Sequence, residues 1–243
     1  MVFSDGAFRG LCFNTTIPNN EVMTDYRYLI SGKYSLVHYY ARNLATKGYI
    51  FYTSFVIPTG KDPETIDAKL IFKYETFLPR HTVSRNRRKG LASVKYVRCG
   101  NVGYLFATHG RSEFFPNEKP RCAFDTPFYL AGYAVSVNRE TGKVTVSLHR
   151  EYQRRLKRFI MTWGHRRPSA WWVNWFNKSY FSQYRGVREN LFSLIKVLNA
   201  NRRDFKMEPI PWEEVLGKKL PASRALLEPS SKELLDLLQF MAR

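Results

Sequence analysis

Apolar positions along the chain follow three regimes. From Glu21 to Thr46 they recur every three or four residues, at Val22, Tyr26, Leu29, Ile30, Leu36, Val37, Tyr40 and Leu44. That period predicts helix, interrupted near Ser31-Gly32. From Tyr49 to His149 the apolar runs are short, rich in aromatic and β-branched residues, and bounded by turn residues. YIFYTSFVI closes on Pro-Thr-Gly, LASVKYVRC and NVGYLFATH flank Gly100-Asn101, and PFYLAGYAVSVN and KVTVSLH flank NRETG. These runs predict a strand and two antiparallel hairpins. Inside the same stretch, Asp62 and Pro63 form a helix start, with a short helix to about Glu75. TFLPRHTVSRNRRKG, basic and poor in apolar residues, reads as a loop.

After His149 the period becomes helical again. Tyr152, Leu156, Phe159, Ile160 and Trp163 share one face, SAWWVNWF opens at a Ser169 cap, and Leu191, Leu194, Ile195 and Leu198 mark a third helix. SSKELLDLLQFM carries a capping box from Ser230 to Glu233. MEPIPWEEVLGKKLPAS, rich in proline, reads as a surface connection. The pattern therefore predicts an α+β fold, with a central antiparallel β-sheet, flanking helices and a helical C-terminal part. The division falls between a mixed α/β part, residues 1–162, and a helical part, residues 163–243. No strong boundary separates them, which leaves room for a shared core.

The 243 residues suit one large domain or one domain with a helical extension. Charge changes the picture more than size does. Lys and Arg number 39 against 20 Asp and Glu, a net charge of +19. Such an excess repels itself in a compact fold and is best tolerated beside a polyanion. Nucleic acid is the first candidate partner and an anionic membrane surface the second. No apolar run approaches the ~20 residues of a membrane-spanning helix, and the N-terminus lacks the basic start and apolar stretch of a signal peptide. Three widely spaced cysteines argue against a disulfide framework or a cysteine zinc site. A reducing, cytoplasmic setting is expected.

The charge is concentrated. Leu78–Cys122 holds ten Lys and Arg against two acids, and His149–Pro168 holds seven against one. Arg80, Arg85, Arg87, Arg88, Lys89, Arg98 and Arg111 in the first segment are expected to meet phosphates. So are Arg150, Arg154, Arg158, Arg166 and Arg167 in the second. Each phosphate neutralised on a single strand adds about 0.7 to the salt slope. Trp171, beside GHRRPS, is a candidate for base stacking. Trp172, Trp175 and Phe176 share a helix face and read as core.

Two positions suggest chemistry. His109 ends the strand run VGYLFAT, and Glu113 follows four residues on; imidazole and carboxylate suit a divalent cation acting at phosphate, Mg²⁺ or Mn²⁺. Tyr152 lies early in the helix after KVTVSLH, with Arg155 and Lys157 nearby to offset developing charge. FYTSFV, LFATHG and YQRRLK stand in an order that resembles rolling-circle replication initiators and single-strand transposases of the HUH class. That resemblance covers residues 49–160. It implies a small antiparallel-sheet endonuclease with His109 as a metal ligand and Tyr152 as the nucleophile. The chain departs from the family pattern at the second histidine, since Ala107 and Arg111 flank His109, and at Arg155, where lysine is usual and Lys157 is displaced.

The leading expectation is DNA handling in replication or transposition of a mobile element, with metal-dependent cleavage of single-stranded DNA through Tyr152. The alternatives are a non-catalytic RNA- or DNA-binding module, and a basic ribonucleoprotein subunit whose C-terminal helices meet a protein. No Walker loop, GxGxxG or HExxH is present.

Overall fold

The computed structural model describes residues 28–178 and 184–216. Among them seven strands form two antiparallel sheets flanked by helices, an α+β fold. The first sheet contains β1 (Phe51–Val56), β2 (Val94–Cys99), β3 (Val102–Ala107) and the short β4 (Arg121–Cys122), in the order β2-β3-β1-β4. The second contains β5 (Phe128–Leu130), β6 (Tyr133–Val137) and β7 (Val144–Leu148), in that order.

Both predicted hairpins form. Gly100-Asn101 joins β2 to β3 with Cys99 opposite Val102. NRETG joins β6 to β7 with Val137 opposite Val144. There the Asn138 side chain accepts hydrogen bonds from the amides of Glu140 and Thr141, at 3.0 and 2.8 Å, so the turn is held locally. PFYLAGYAVSVN, however, is two strands rather than one. Ala131 and Gly132 both adopt positive φ, 51° and 80°, as a two-residue type I′ loop requires. Alanine in the first of those positions carries no turn signal, which is why the run read as continuous.

β3 lies in the middle of its sheet and is buried on both faces. Tyr104 and Phe106 enter the main core, while Leu105 and Ala107 enter a smaller one with Ile71, Tyr74, Tyr96 and Phe114. Phe128 ties the two sheets together. Its ring lies 4.7 Å from Tyr40, 5.2 Å from Tyr52 and 5.6 Å from Phe106, mostly edge to face.

The helices are α1 (Lys33–Tyr39), α2 (Pro63–Lys73), α3 (Arg80–Arg88), α4 (Phe114–Glu118), α5 (Arg150–Trp163), α6 (Ser169–Lys178), α7 (Arg185–Asp204) and α8 (Trp212–Leu216). α1 continues through a π turn and a 3₁₀ turn to Lys47. The predicted helix over Glu21–Thr46 is corrected at its front. Residues 28–30 are extended, because Tyr28 and Ile30 exchange backbone bonds with Arg98 and cover the edge of β2. Residues 21–27 of that expectation lie outside the described residues, as does the Ser230 capping box.

α2 starts as expected, with the Asp62 carboxylate accepting from the amides of Glu64 and Thr65 at 3.2 and 2.9 Å. The predicted basic loop is corrected to a helix, α3. Pro79, extended at φ −61° and ψ 154°, sets its start. Arg85, Arg87 and Arg88 fall in its last turn, where cations complement the helix dipole. The proline-rich connection is corrected too. It contains α8, and Ile210 before it is buried, with its amide and carbonyl both bonded to the Asn199 side chain.

One buried cluster runs from Leu36 through both sheets to Phe159, Trp172, Leu194 and Ile210. The described residues on either side of position 162 thus share a core. Trp172, Trp175 and Phe176 are buried in it.

Candidate nucleic-acid interface

α3 buries none of its nine residues. Thr82, Val83 and Asn86 form its half-buried side, while Arg80, Arg85, Arg87, Arg88 and Lys89 are exposed. The Arg87 guanidinium lies 5.1 Å from the centre of the Tyr49 ring, so this cation is placed over an aromatic face rather than left to wander. Behind it the Lys95 ammonium donates to the Thr76 carbonyl at 2.7 Å. Burial, with Lys47 adding like-charge repulsion, lowers the Lys95 pKa.

Arg111 is exposed and stands beside α3 because the chain turns sharply after β3. Gly110 has φ +134°, and a Cβ there would sit 2.4 Å from the amide nitrogen of Ala92. The close approach lets Arg111 donate its amide to Gly90 at 2.8 Å and accept from Ala92 at 3.1 Å. Thr-His-Gly is therefore a packing turn that folds residue 111 against residues 90–92.

Arg98 does not join this surface. Its Nε donates to Asp67 at 2.8 Å, and the two side chains are 13% and 1% exposed. Tyr96 donates to the same carboxylate at 2.6 Å. This buried network ties α2 to β2, and Arg98 is corrected from phosphate contact to scaffold.

Between the end of α2, α3, the start of β2 and residues 111–113 lies a cleft of about 210 Å³. Thr76 and Ser93 border it, but their hydroxyl oxygens are buried and do not face it.

The second basic surface is α5. Leu156, Phe159 and Ile160 anchor it, while Arg150, Arg154, Arg155, Lys157 and Arg158 are exposed. Glu151 pairs loosely with Arg154 at 3.5 Å and Arg158 at 4.0 Å. Both contacts are solvent-facing and cost little to exchange for phosphate. Tyr152 lies with its ring against Gly132 in the β5–β6 turn. It is 37% exposed, and partial burial with nearby Tyr34 pushes its pKa up to about 12. Arg155 is one turn on from Tyr152. Lys157 lies about 140° round the helix from it.

After α5 the chain corners through GHRRPS. The Arg166 and Arg167 guanidinium groups lie 5.4 and 5.8 Å from the Trp163 ring centre, and Arg167 also lies 5.5 Å from Trp171. Arg202 holds this corner from below. It is 1% exposed and donates to three carbonyls, Gly164 at 2.9 Å, Arg167 at 2.6 Å and Glu208 at 2.6 Å. Nothing in the sequence distinguishes Arg202 from its neighbours on α7. Trp171 is half-buried, edge-on to Trp172 at 5.0 Å.

His109 and Glu113 are both exposed. The His109 ring packs edge-on to Phe51 at 4.9 Å and beside Phe124 at 6.3 Å. Among the described residues no group of three His, Cys, Asp or Glu side chains gathers as a metal-ligand set. His109 and Glu113 thus form at most part of a donor set. No described helix is long and apolar enough to cross a membrane. No family model matches the chain, and no curated protein or solved structure is found similar to it.

Proposed function

We propose that the protein binds single-stranded nucleic acid, DNA in the first instance and RNA in the second, through α3 and α5. The observation that carries this is α3. It is a helix with no buried residue; four of its side chains, Arg80, Arg85, Arg87 and Arg88, and its C-cap Lys89 are exposed cations, in a chain of net charge +19. α3 packs only the half-buried side of Thr82, Val83 and Asn86 against the fold, which leaves its cations on the outer side open to phosphates. Arg87 over Tyr49 and Arg166 and Arg167 over Trp163 add fixed guanidinium planes, which suit stacking and phosphate forks alike.

The test is the salt dependence of binding to a labelled mixed-sequence single strand. Neutralising Arg85 and Arg88 to Ala should lower the slope of log K against log salt by about 1.4, from about 0.7 per phosphate contact. An unchanged slope, or affinity insensitive to salt, refutes the reading.

A second reading is strand cleavage through Tyr152, within DNA handling by a mobile element. It is favoured by the place of Tyr152 in the first turn of a helix that directly follows a strand, among exposed arginines. With its pKa near 12 the hydroxyl is protonated at neutral pH, so attack on a phosphodiester needs a proton acceptor or a cation beside it. Incubation with single-stranded DNA and Mn²⁺, followed by a denaturing gel, should give a covalent adduct that Tyr152→Phe abolishes. Binding without an adduct leaves the protein a binding module.

A further inference from the structure

The end of the first sheet, where β1 begins and β3 stops, carries a cluster of rings at the surface. Phe51 opens β1 opposite Ala107, the last residue of β3. The His109 ring meets Phe51 edge-on at 4.9 Å, and Phe115 meets Phe51 edge-on at 5.0 Å. Phe124, in the turn after β4, lies 6.3 Å from His109 at an interplanar angle of 33°. The three phenylalanines are half-buried, whereas His109 is exposed. Its backbone is pinned on both sides. The Thr108 amide donates to the Ser93 carbonyl at 3.0 Å, and its hydroxyl accepts from the Ser93 amide at 2.9 Å. The Gly110 turn then fixes residue 111 against residues 90–92. Among the described residues the imidazole has ring contacts only, with no hydrogen bond or ion pair. A ring braced in this way loses little freedom on binding, and every base offers a face to stack on it.

The charge around the cluster says what would cover it. Arg111, Lys119, Arg121 and Arg139 are exposed. Lys119 caps α4 one turn after Phe115, and Arg139 reaches over from the β6–β7 turn with its guanidinium 5.6 Å from the Phe124 ring centre. Glu113 and Asp125 are the exposed acids, so four cations face two carboxylates. Glu118 is occupied by the Tyr74 hydroxyl and Lys73. Arg139 pairs with Asp125 at 2.7 Å, but the two side chains are 68% and 65% exposed, and a phosphate can displace such a contact at little cost. An apolar protein surface would leave these cations without partners. A single strand brings a ring face and a phosphate with each nucleotide, and so matches both the rings and the charge.

We infer that an unpaired base stacks on His109, with Arg111 and Arg139 on its flanking phosphates and Phe51 and Phe124 bracing the ring. The inference rests on the single-strand reading above, because a base held in a duplex has no free face. Arg111 connects this site to α3, since residue 111 packs against the residues that directly follow that helix. His109 thereby acts through its ring face, not as a metal ligand.

The experiment measures binding of the full-length protein, by anisotropy and with a chelator present, to two labelled probes. One is a mixed-sequence DNA strand, the other a strand of equal length whose sites are all abasic. The native protein should bind the intact strand more tightly. His109→Ala should weaken binding of the intact strand about 5- to 100-fold and leave the abasic strand and its salt slope unchanged. His109→Phe keeps a ring but no nitrogen and should retain most of the native affinity, whereas a ligand or hydrogen-bonding role would be lost in Phe as in Ala. Loss of affinity for both strands alike in His109→Ala, no loss for either, or a Phe variant no better than Ala overturns the stacking site. Equal native affinity for intact and abasic strands, with both salt-dependent, also overturns it and keeps the single-strand reading. If the native protein binds neither strand, both fall. Urea unfolding of both variants guards against a folding defect, and His109→Phe carries the test if His109→Ala is unstable: it then has to keep the native preference for the intact strand.

Discussion

Arg202 is the residue whose removal has the most calculable consequence. Gly164 is the C-cap of α5, so its carbonyl belongs to the group that a helix leaves without an internal partner. Arg202 supplies a donor there, and others to Arg167 and Glu208. Its cation also meets the negative end of the α5 dipole. Arg202→Met keeps the volume and the packing of the stem but removes all three donors. A hydrogen bond from a charged donor is worth about 1.5–3 kcal/mol, so the gross loss is roughly 5–9 kcal/mol. Part of this is recovered, because a guanidinium no longer has to be withdrawn from water, which costs several kcal/mol. A net loss of about 3–5 kcal/mol follows, or a fall in Tm of roughly 6–20 °C for a chain of this size. Urea unfolding followed by tryptophan fluorescence reads it directly, since Trp163, Trp171, Trp172 and Trp175 lie around the corner that Arg202 holds. Arg202→Lys should fall between Met and the native residue, because one ammonium cannot fork to three carbonyls. A loss below ~1 kcal/mol for Arg202→Met refutes the reasoning and means that water replaces the guanidinium without penalty.

Other outcomes follow from the same geometry. Gly110→Ala should cost more than ~2 kcal/mol in chemical denaturation, because a Cβ would meet Ala92 at 2.4 Å at a φ of +134°; stability equal to the native protein would show that residues 90–92 yield freely. Asp67→Asn should cost about 3 kcal/mol by leaving the Arg98 charge poorly paired, and adding Arg98→Met should restore part of the loss. His38, bonded to the Tyr184 hydroxyl at 2.9 Å, has a pKa lowered by burial and by nearby Arg42. The unfolded chain therefore takes up this proton first, so stability is full above a pH of about 6.5 and falls as pH drops from there to the lower folded value. His38→Gln should flatten stability against pH in that window, and an unchanged profile would remove His38 from the account.

Local chemistry alone determined much of this protein. Period and turn residues placed β1, both hairpins and the helices α2, α5, α6 and α7, because each carries its own signal: Asp62 before Pro63, Gly100-Asn101, Leu191 to Leu198 on one face. Charge clustering was likewise legible, since Lys and Arg are seldom buried without a partner. Tertiary structure decided the rest. Residues 28–30 became extended because the edge of β2 offered hydrogen bonds, and Arg98 was withdrawn from the surface because Asp67 lay opposite across α2 and β2. α3 read as loop because cations mask a helical period that has no apolar face to show. The rings of Phe51, His109 and Phe124, and the three carbonyls that converge on Arg202, join residues far apart in the chain. Such sites have no sequence signature, because the distances that define them exist only once the two sheets and the helices have packed.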